Sequence, residues 1–272
     1  MKEINSSVFG QVSSPETFEE LLLLISQNKV EKNSRNVSFW RGQSNLDWRI
    51  DSAAVRRLKL SREITNYPKE IDENHLSYYE ENLLGRARTN MFDFDNHNRR
   101  MTDFELLSKL QHHGAATRLV DFSKSALIGL FFCTTEKRHE NDYGLLFGIN
   151  TDVLGGSEDH FEYDFSYKEY QDFIKEHNHV LCISPPPLNN RMAAQHAVLL
   201  CSKFDDGNYG SLFLNDNSKF YKYIAISPEL KIECNYYLTK CFNITRVTMF
   251  PDFTGFCEIN SANWEIYAHT RW

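Results

Sequence analysis

Leu110-Gln111-His112-His113-Gly114-Ala115-Ala116-Thr117-Arg118-Leu119-Val120-Asp121-Phe122-Ser123 is the stretch that decides the architecture. It begins where an apolar stripe at helical spacing, Leu106, Leu107 and Leu110, runs out, and Gly114 is suited to the left-handed conformation that closes a helix. Thr102 and Glu105 have the spacing of a capping box and mark the start of the same helix. Thr117 to Val120 then reads as a strand, and Ser123 as the N-cap of a buried helix through Leu127, Leu130 and Phe131. Tyr143 to Ile149 follows as a core strand. Helix, strand and helix succeed one another with polar groups crowded at the junctions, where binding and catalytic residues collect.

Upstream, Ser14-Pro15 opens a helix expected over residues 14–28, with Ser14 as N-cap and an apolar face of Phe18, Leu21, Leu22 and Ile25. Val37 to Trp40 is a short strand, Gly42 to Asn45 a polar turn, and Pro68 to Phe92 a long amphipathic helix marked by Ile71, Leu76, Tyr79 and Leu83. Downstream come strand-like Val180 to Ile183, Ala197 to Cys201, Gly210 to Leu214 and Phe220 to Ile226, with one helix-length segment, Pro228 to Phe242. Short strands with helices gathered mainly in the N-terminal half predict an α+β fold with mixed sheets. The Pro185 to Pro187 run is the sole proline run, and with no linker in sight residues 1–272 read as one domain.

Composition narrows the function. With 272 residues, 41% of them hydrophobic, the chain can bury a core without disulfide or metal staples. The formal charge of −7 means that a nucleic-acid contact would need a local basic patch. No apolar run approaches the roughly 20 residues of a membrane span. The polar start Met1 to Ser7 lacks the apolar stretch of a signal peptide, so a cytoplasmic protein is expected. Six cysteines without a CxxC pair read as reduced, buried thiols, and His177 with His179 lacks the further ligands that zinc requires.

Phe39-Trp40-Arg41-Gly42-Gln43 sets an arginine at a strand end, where it suits a phosphate, followed by a glycine that lets a ligand approach the backbone. His112 and His113 titrate near neutral pH and could serve as ligand-holding or acid–base groups, or simply favour a helix C-terminus. Arg118 and Asp121 lie three apart on a strand and so should face opposite sides, each needing its own partner. Asn190 to Gln195 leads into a strand through a glutamine, which donates and accepts but carries no charge.

Together these segments resemble the FRG domain. The aromatic-Arg-Gly motif reads Phe39-Trp40-Arg41-Gly42-Gln43, and the second block is Leu110 to Gly114 followed by Thr117 to Ser123 and the apolar helix from Ala126 to Phe132. Looser likeness continues through Asn190, Arg191 and Gln195 to Phe250-Pro251-Asp252 and Gly255. A second resemblance is to ADP-ribosyltransferases, whose Arg-Ser-Glu arrangement would fall on Arg41, Ser123 and Gln195, with the Gly42 backbone meeting a nicotinamide amide. Gln195 departs from that pattern because it supplies no charge to an oxocarbenium-like ribose, which leaves Asp121, or a carboxylate that the motifs do not mark, as the candidate anion.

The resemblance implies an NAD-consuming enzyme with no metal, acting as a toxin or phage-defence effector on RNA or protein, with an antitoxin protein as a further partner. Arg41, His113, Asp121 and Gln195 would then be catalytic, and Gly42, Gln43, His112, Thr117, Arg118 and Ser123 would join Arg41 in holding the nucleotide, all on one cleft. Two alternatives stay open: a nuclease using His112 and His113 as acid and base around a phosphodiester held by Arg41 and Arg118, and a non-catalytic nucleotide-binding module.

Overall fold

Gly144–Asn150 (β5) is the spine of the fold, buried on both faces: Leu145, Phe147 and Ile149 join one core, and Leu146 joins another. Its neighbours are Ser38–Gln43 (β3), paired from Ser38↔Asn150 to Gln43↔Leu145, and Tyr221–Ile226 (β8). Lys2–Ser6 (β1) and Gly10–Ser14 (β2) form a hairpin beyond β8, and Val120–Ser123 (β4), Ala197–Cys201 (β7) and Leu181–Ile183 (β6) lie beyond β3. The computed structural model describes residues 2–27, 38–65, 70–151, 166–183, 190–214 and 220–261, and its sheet runs β1-β2-β8-β5-β3-β4-β7-β6, antiparallel except at β2–β8. With the helices below, the fold is α+β, and its eight described strands form a single sheet.

One face carries an aromatic-rich core in which Phe9, Phe147 and Tyr223 meet. Phe18–Ser26 (α1), Ala126–Thr134 (α5) and Pro228–Lys240 (α8) cover the other. Glu73–Thr89 (α3), Asp103–His112 (α4) and Tyr167–Glu176 (α6) pack on the β6–β7 end, and Ala53–Thr65 (α2) lies against α3 through Ala54, Val55 and Leu76. Short helices Asn190–Ala194 (α7), Arg246–Met249 (α9) and Phe253–Ile259 (α10) are the remaining α-helices among the described residues, and α1 to α5 all precede residue 135 while α6 and α8 follow it. No helix among the described residues is long and apolar enough to cross a membrane.

The sheet has a seam. β3 pairs with β4 at Trp40↔Ser123 alone, whereas β4 pairs with β7 from Val120↔Leu200 to Ser123↔Ala197. Past that bridge the two strands diverge. The aromatic-Arg-Gly motif explains the geometry residue by residue. Phe39 enters one core and Trp40 the other, where its ring lies over Gly148 and its Cβ against Gly129. Gly42 lies hard against α5: a Cβ there would fall 1.8 Å from the Gly129 carbonyl oxygen. The requirement for glycine is thus close helix packing rather than the ligand approach expected from sequence.

Several expected boundaries move. Ser14 pairs with Lys2 inside the hairpin, and Thr17 instead caps α1, accepting from the Glu20 amide. β3 continues through Gln43, where a turn was expected, because β5 pairs with it that far. The strand expected at Thr117 to Val120 begins only at Val120, since the Thr117 carbonyl accepts from Ala54 of α2 and the Arg118 amide donates to Glu80. Ser123 ends β4, and the α5 N-cap is Ser125. Gly210 to Leu214 makes no strand, only isolated bridges at Gly210. The capping box of Thr102 and Glu105 and the left-handed Gly114, at φ 87°, stand as read. Val37, Pro68 and the run Pro185 to Pro187 lie outside the described residues. The described cysteines are free, with Cys241 and Cys257 exposed rather than buried.

Candidate functional site

Where β3 and β4 separate, a cleft of about 880 Å³ opens. A strand carbonyl that loses its ladder partner must find another donor, and Arg41 supplies it: its NH1 donates to the Asp121 carbonyl oxygen at 2.8 Å. The Arg41 Nε donates to Gln43 Oε1 at 3.3 Å, and Gln43 Nε2 in turn donates to the Trp48 carbonyl at 2.8 Å. No carboxylate oxygen lies within ion-pair distance of Arg41 among the described residues, although the Asp121 charge favours its cation. Burial lowers the Arg41 pKa and so does nearby Arg56, another cleft residue. A cation held among neutral acceptors in a partly dehydrated cleft gains strongly from an anionic ligand.

The Asp121 carboxylate lies on the same wall and is exposed; its Oδ1 accepts from Gln111 Nε2 at 2.6 Å. Gln111 is itself fixed by the buried Thr117 hydroxyl, which donates to its Oε1. Asp121 therefore does not cap α5, the structural alternative for it. Ser123 Oγ donates to the Gln195 carbonyl oxygen at 2.8 Å, tying β4 to the residue that leads into β7. Gln195 Nε2 donates to the Met249 carbonyl at 2.9 Å, leaving its Oε1 as an acceptor.

A further cluster closes the cleft on the α7 side. Asp252 Oδ1 accepts from Arg191 NH2 at 2.9 Å and caps α10 through the Gly255 amide at 2.7 Å, while its carboxylate stands 2.7 Å from Arg191 Nε and 3.5 Å from His112 Nε2. The Arg191 guanidinium covers the Phe250 ring at 4.8 Å. Burial lowers the His112 pKa, Arg191 and His113 lower it further, and Asp252 opposes them. At neutral pH this imidazole is uncharged and suited to accept a proton.

Arg41, Gly42, Gln43, His112, Asp121, Ser123 and Gln195 thus line one cleft, brought together by three adjacent strands and the end of α4. His113 does not line it: as the C-cap of α4 it is exposed, its ring edge-on to His112 at 5.0 Å. Thr117 lies beneath the cleft and reaches it through Gln111. Arg118 points into the core, where Glu73, Glu80, Ser77, Tyr167 and Tyr170 surround it, so it is not available to a ligand. Sequence reasoning missed Gln111, Arg191 and Asp252 as site residues and Arg56 and Trp48 as cleft residues. Gln111 stood in the quoted motif beside the two histidines, and the Arg191–Asp252 pair, 61 residues apart, leaves no local signal. Among the described residues no cluster of His, Cys, Asp or Glu could hold a metal ion.

A sheet split over an arginine, with an apolar helix packed on glycine beside it, is the class of site that the geometry defines. Residues 36–142 match the FRG domain, and the chain carries an FRG domain over that segment. The match takes in Arg41, the Gln111 to Ser123 block and α5; Arg191, Gln195 and Asp252 lie beyond it. No curated protein and no solved structure matches the chain.

Proposed function

We propose that the cleft binds NAD and that the protein is an ADP-ribosyltransferase, with RNA or protein as acceptor and a toxin or phage-defence role. The observation that supports this reading is the placement of Arg41, Ser123 and Gln195 side by side at one cleft, on or at the entrance of the adjacent strands β3, β4 and β7. Arg41 holds the diphosphate with the hydrogen-bonding capacity that Asp121 and Gln43 leave it. Ser123 keeps its bracing part by fixing the Gln195 backbone, and the Gln195 Oε1 accepts from a ribose hydroxyl.

In the transfer, the bond from ribose C1′ to the nicotinamide nitrogen breaks and its electron pair leaves with neutral nicotinamide. A bond from C1′ to the acceptor nucleophile forms, and the acceptor's proton goes to neutral His112, positioned by Asp252. Positive charge develops on the ribose, and the Asp121 carboxylate is the cleft anion assigned to it. His112, which lines the cleft, replaces His113 in the catalytic part. For the nuclease alternative, only one of the two histidines faces a bound phosphodiester.

Incubation of the protein with labelled NAD and cell extract tests the proposal. Label on a macromolecule together with free nicotinamide is the expected result. Shortened RNA without NAD would favour the nuclease, and retention of intact NAD with no transfer would favour a binding module.

A further inference from the structure

The face of α2 turned away from the cleft forms a second groove with α3, about 620 Å³ in volume. Arg57 and Arg62 enter it from α2 and Arg86 from α3, beside Tyr78 and Asn82, and no carboxylate is among its lining residues. Arg57 and Arg86 converge: the Arg57 guanidinium lies 6.0 Å from the centre of the Tyr79 ring, and both charges work against the burial that raises that phenol's pKa. Tyr78 is 70% exposed, and Asn82 donates to the Tyr78 carbonyl, which leaves its own side-chain oxygen as an acceptor.

The contrast with the rest of the chain carries the argument. Acidic residues outnumber Lys and Arg by 37 to 30, and Arg49, Arg88, Arg99, Arg100, Arg118, Arg191 and Arg246 each meet a carboxylate. Arg41, Arg56 and Arg138 also lack an ion pair among the described residues, as Arg57, Arg62 and Arg86 do, but these last three share one groove whose lining holds no carboxylate, and Arg62 NH1 is buried with no hydrogen-bond partner. His75, at the same groove, is paired with Asp72. Leaving three guanidiniums unmatched in an acidic protein, around an exposed aromatic ring, is the pattern of a surface that takes phosphodiesters and stacks a base.

We infer that the α2–α3 groove binds single-stranded nucleic acid, its phosphates on Arg57, Arg62 and Arg86 and a base on Tyr78. α2 also sends Arg56 into the cleft while its neighbour Arg57 faces the groove, so a bound strand lies about one helix diameter, roughly 10 Å, from the cleft. Resting on the ADP-ribosyltransferase reading, that proximity makes the nucleic acid the acceptor; strand binding itself does not depend on that reading.

The test is fluorescence anisotropy of the full chain with a labelled single-stranded RNA of about twelve nucleotides, a length within the usual site sizes. Arg57→Ala/Arg86→Ala should weaken binding at least tenfold and flatten the plot of log affinity against log salt by about 1.4, or about 0.7 for each phosphate no longer neutralised. Tyr78→Ala should cost about tenfold, as the loss of one stacked base does. All three positions are at the surface, so the melting temperature should hold. Arg41→Ala should keep RNA binding while losing NAD, and the groove variants should do the reverse, which separates failure of this inference from failure of the NAD reading. Unchanged RNA affinity in the double variant, no binding by the wild-type protein at about 50 mM salt, or equally tight binding of poly-glutamate would overturn it.

Discussion

Arg41, on β3, and Arg118, two residues before β4, sit in opposite settings. Arg118 is 2% exposed, and its guanidinium meets Glu80, Glu73 at 2.8 Å, Tyr167 at 2.7 Å, Ser77 at 3.2 Å and Tyr170 at 3.2 Å. Burial works against its charge, yet these neighbours raise its pKa well above the ordinary value. Arg41 is half-buried with neutral oxygens as its hydrogen-bond acceptors, and burial lowers its pKa. One arginine is saturated by its own protein. The other is left with capacity to spare. A saturated buried cation holds elements together, here α3, α6 and the approach to β4, whereas an unsaturated one is a site for an external anion.

Replacement of Arg118 is the sharpest way to break this comparison. Arg118→Met leaves Glu80, which is fully buried, without its cation, and removing one partner of a buried pair costs about 3–5 kcal/mol. Chemical denaturation should show a loss of that size, with ligand binding reduced only as the folded fraction falls. A variant as stable as the wild type would refute the clamp.

Asp121→Asn should come next. The amide keeps the shape and a contact with Gln111 but removes the charge assigned to the developing cation on ribose. Turnover should fall by on the order of a hundredfold while stability changes by less than about 1 kcal/mol. Full activity in a less stable variant would mark the carboxylate as structural.

Arg41→Met sharpens the same contrast from the other side. Charge-assisted hydrogen bonds contribute about 1.5–3 kcal/mol, so affinity for NAD should drop by roughly ten- to a hundredfold. Stability should move far less than in Arg118→Met, because the bonds removed go to neutral oxygens at a half-buried side chain. Calorimetry with NAD, beside a denaturation curve, gives both readings, and equal NAD affinity in the variant would remove Arg41 from the site.

The two arginines also show what a sequence can reveal. Arg41 was legible because its neighbours are constrained: alternation places Phe39 and Trp40 in opposite cores, and glycine at 42 signals a close approach. What the glycine approaches was misread, since α5 packing leaves no mark on the neighbouring residues. Arg118 was misassigned because its partners, Glu73, Glu80 and Tyr167, come from α3 and α6, and nothing local separates a buried ion pair from a ligand-binding arginine. α2 was hidden for a related reason: Arg56, Arg57 and Lys59 mask the two core residues Ala54 and Val55. The β1–β2 hairpin is short and polar, whereas α6 opens on a capping box, Ser166 with Glu169, and buries Tyr167, Tyr170 and Ile174 at helical spacing, a signal that sequence reasoning missed.

The smallest expected effect belongs to His112 and depends on pH. Burial, Arg191 and His113 lower its pKa from 6.5, while Asp252, the one carboxylate facing it among the described residues, only partly opposes them. The unfolded chain therefore takes up a proton near pH 6.5 that the folded protein resists until lower pH. Because the unfolded state binds more protons in that window, stability rises with pH across it. The contribution is fully present above pH 6.5 and is lost as pH falls through the lowered folded value. His112→Gln removes the titrating group, so the melting temperature of the wild type should fall further than that of the variant between pH 8 and pH 5. The same lowered pKa keeps the imidazole neutral to lower pH, so the acid limb of the rate profile should lie below pH 6.5 in the wild type and vanish in His112→Gln. A wild type that gained stability relative to the variant on acidification would show that Asp252 holds the imidazolium, and His112 would then belong with Arg118 among the saturated cations rather than with Arg41.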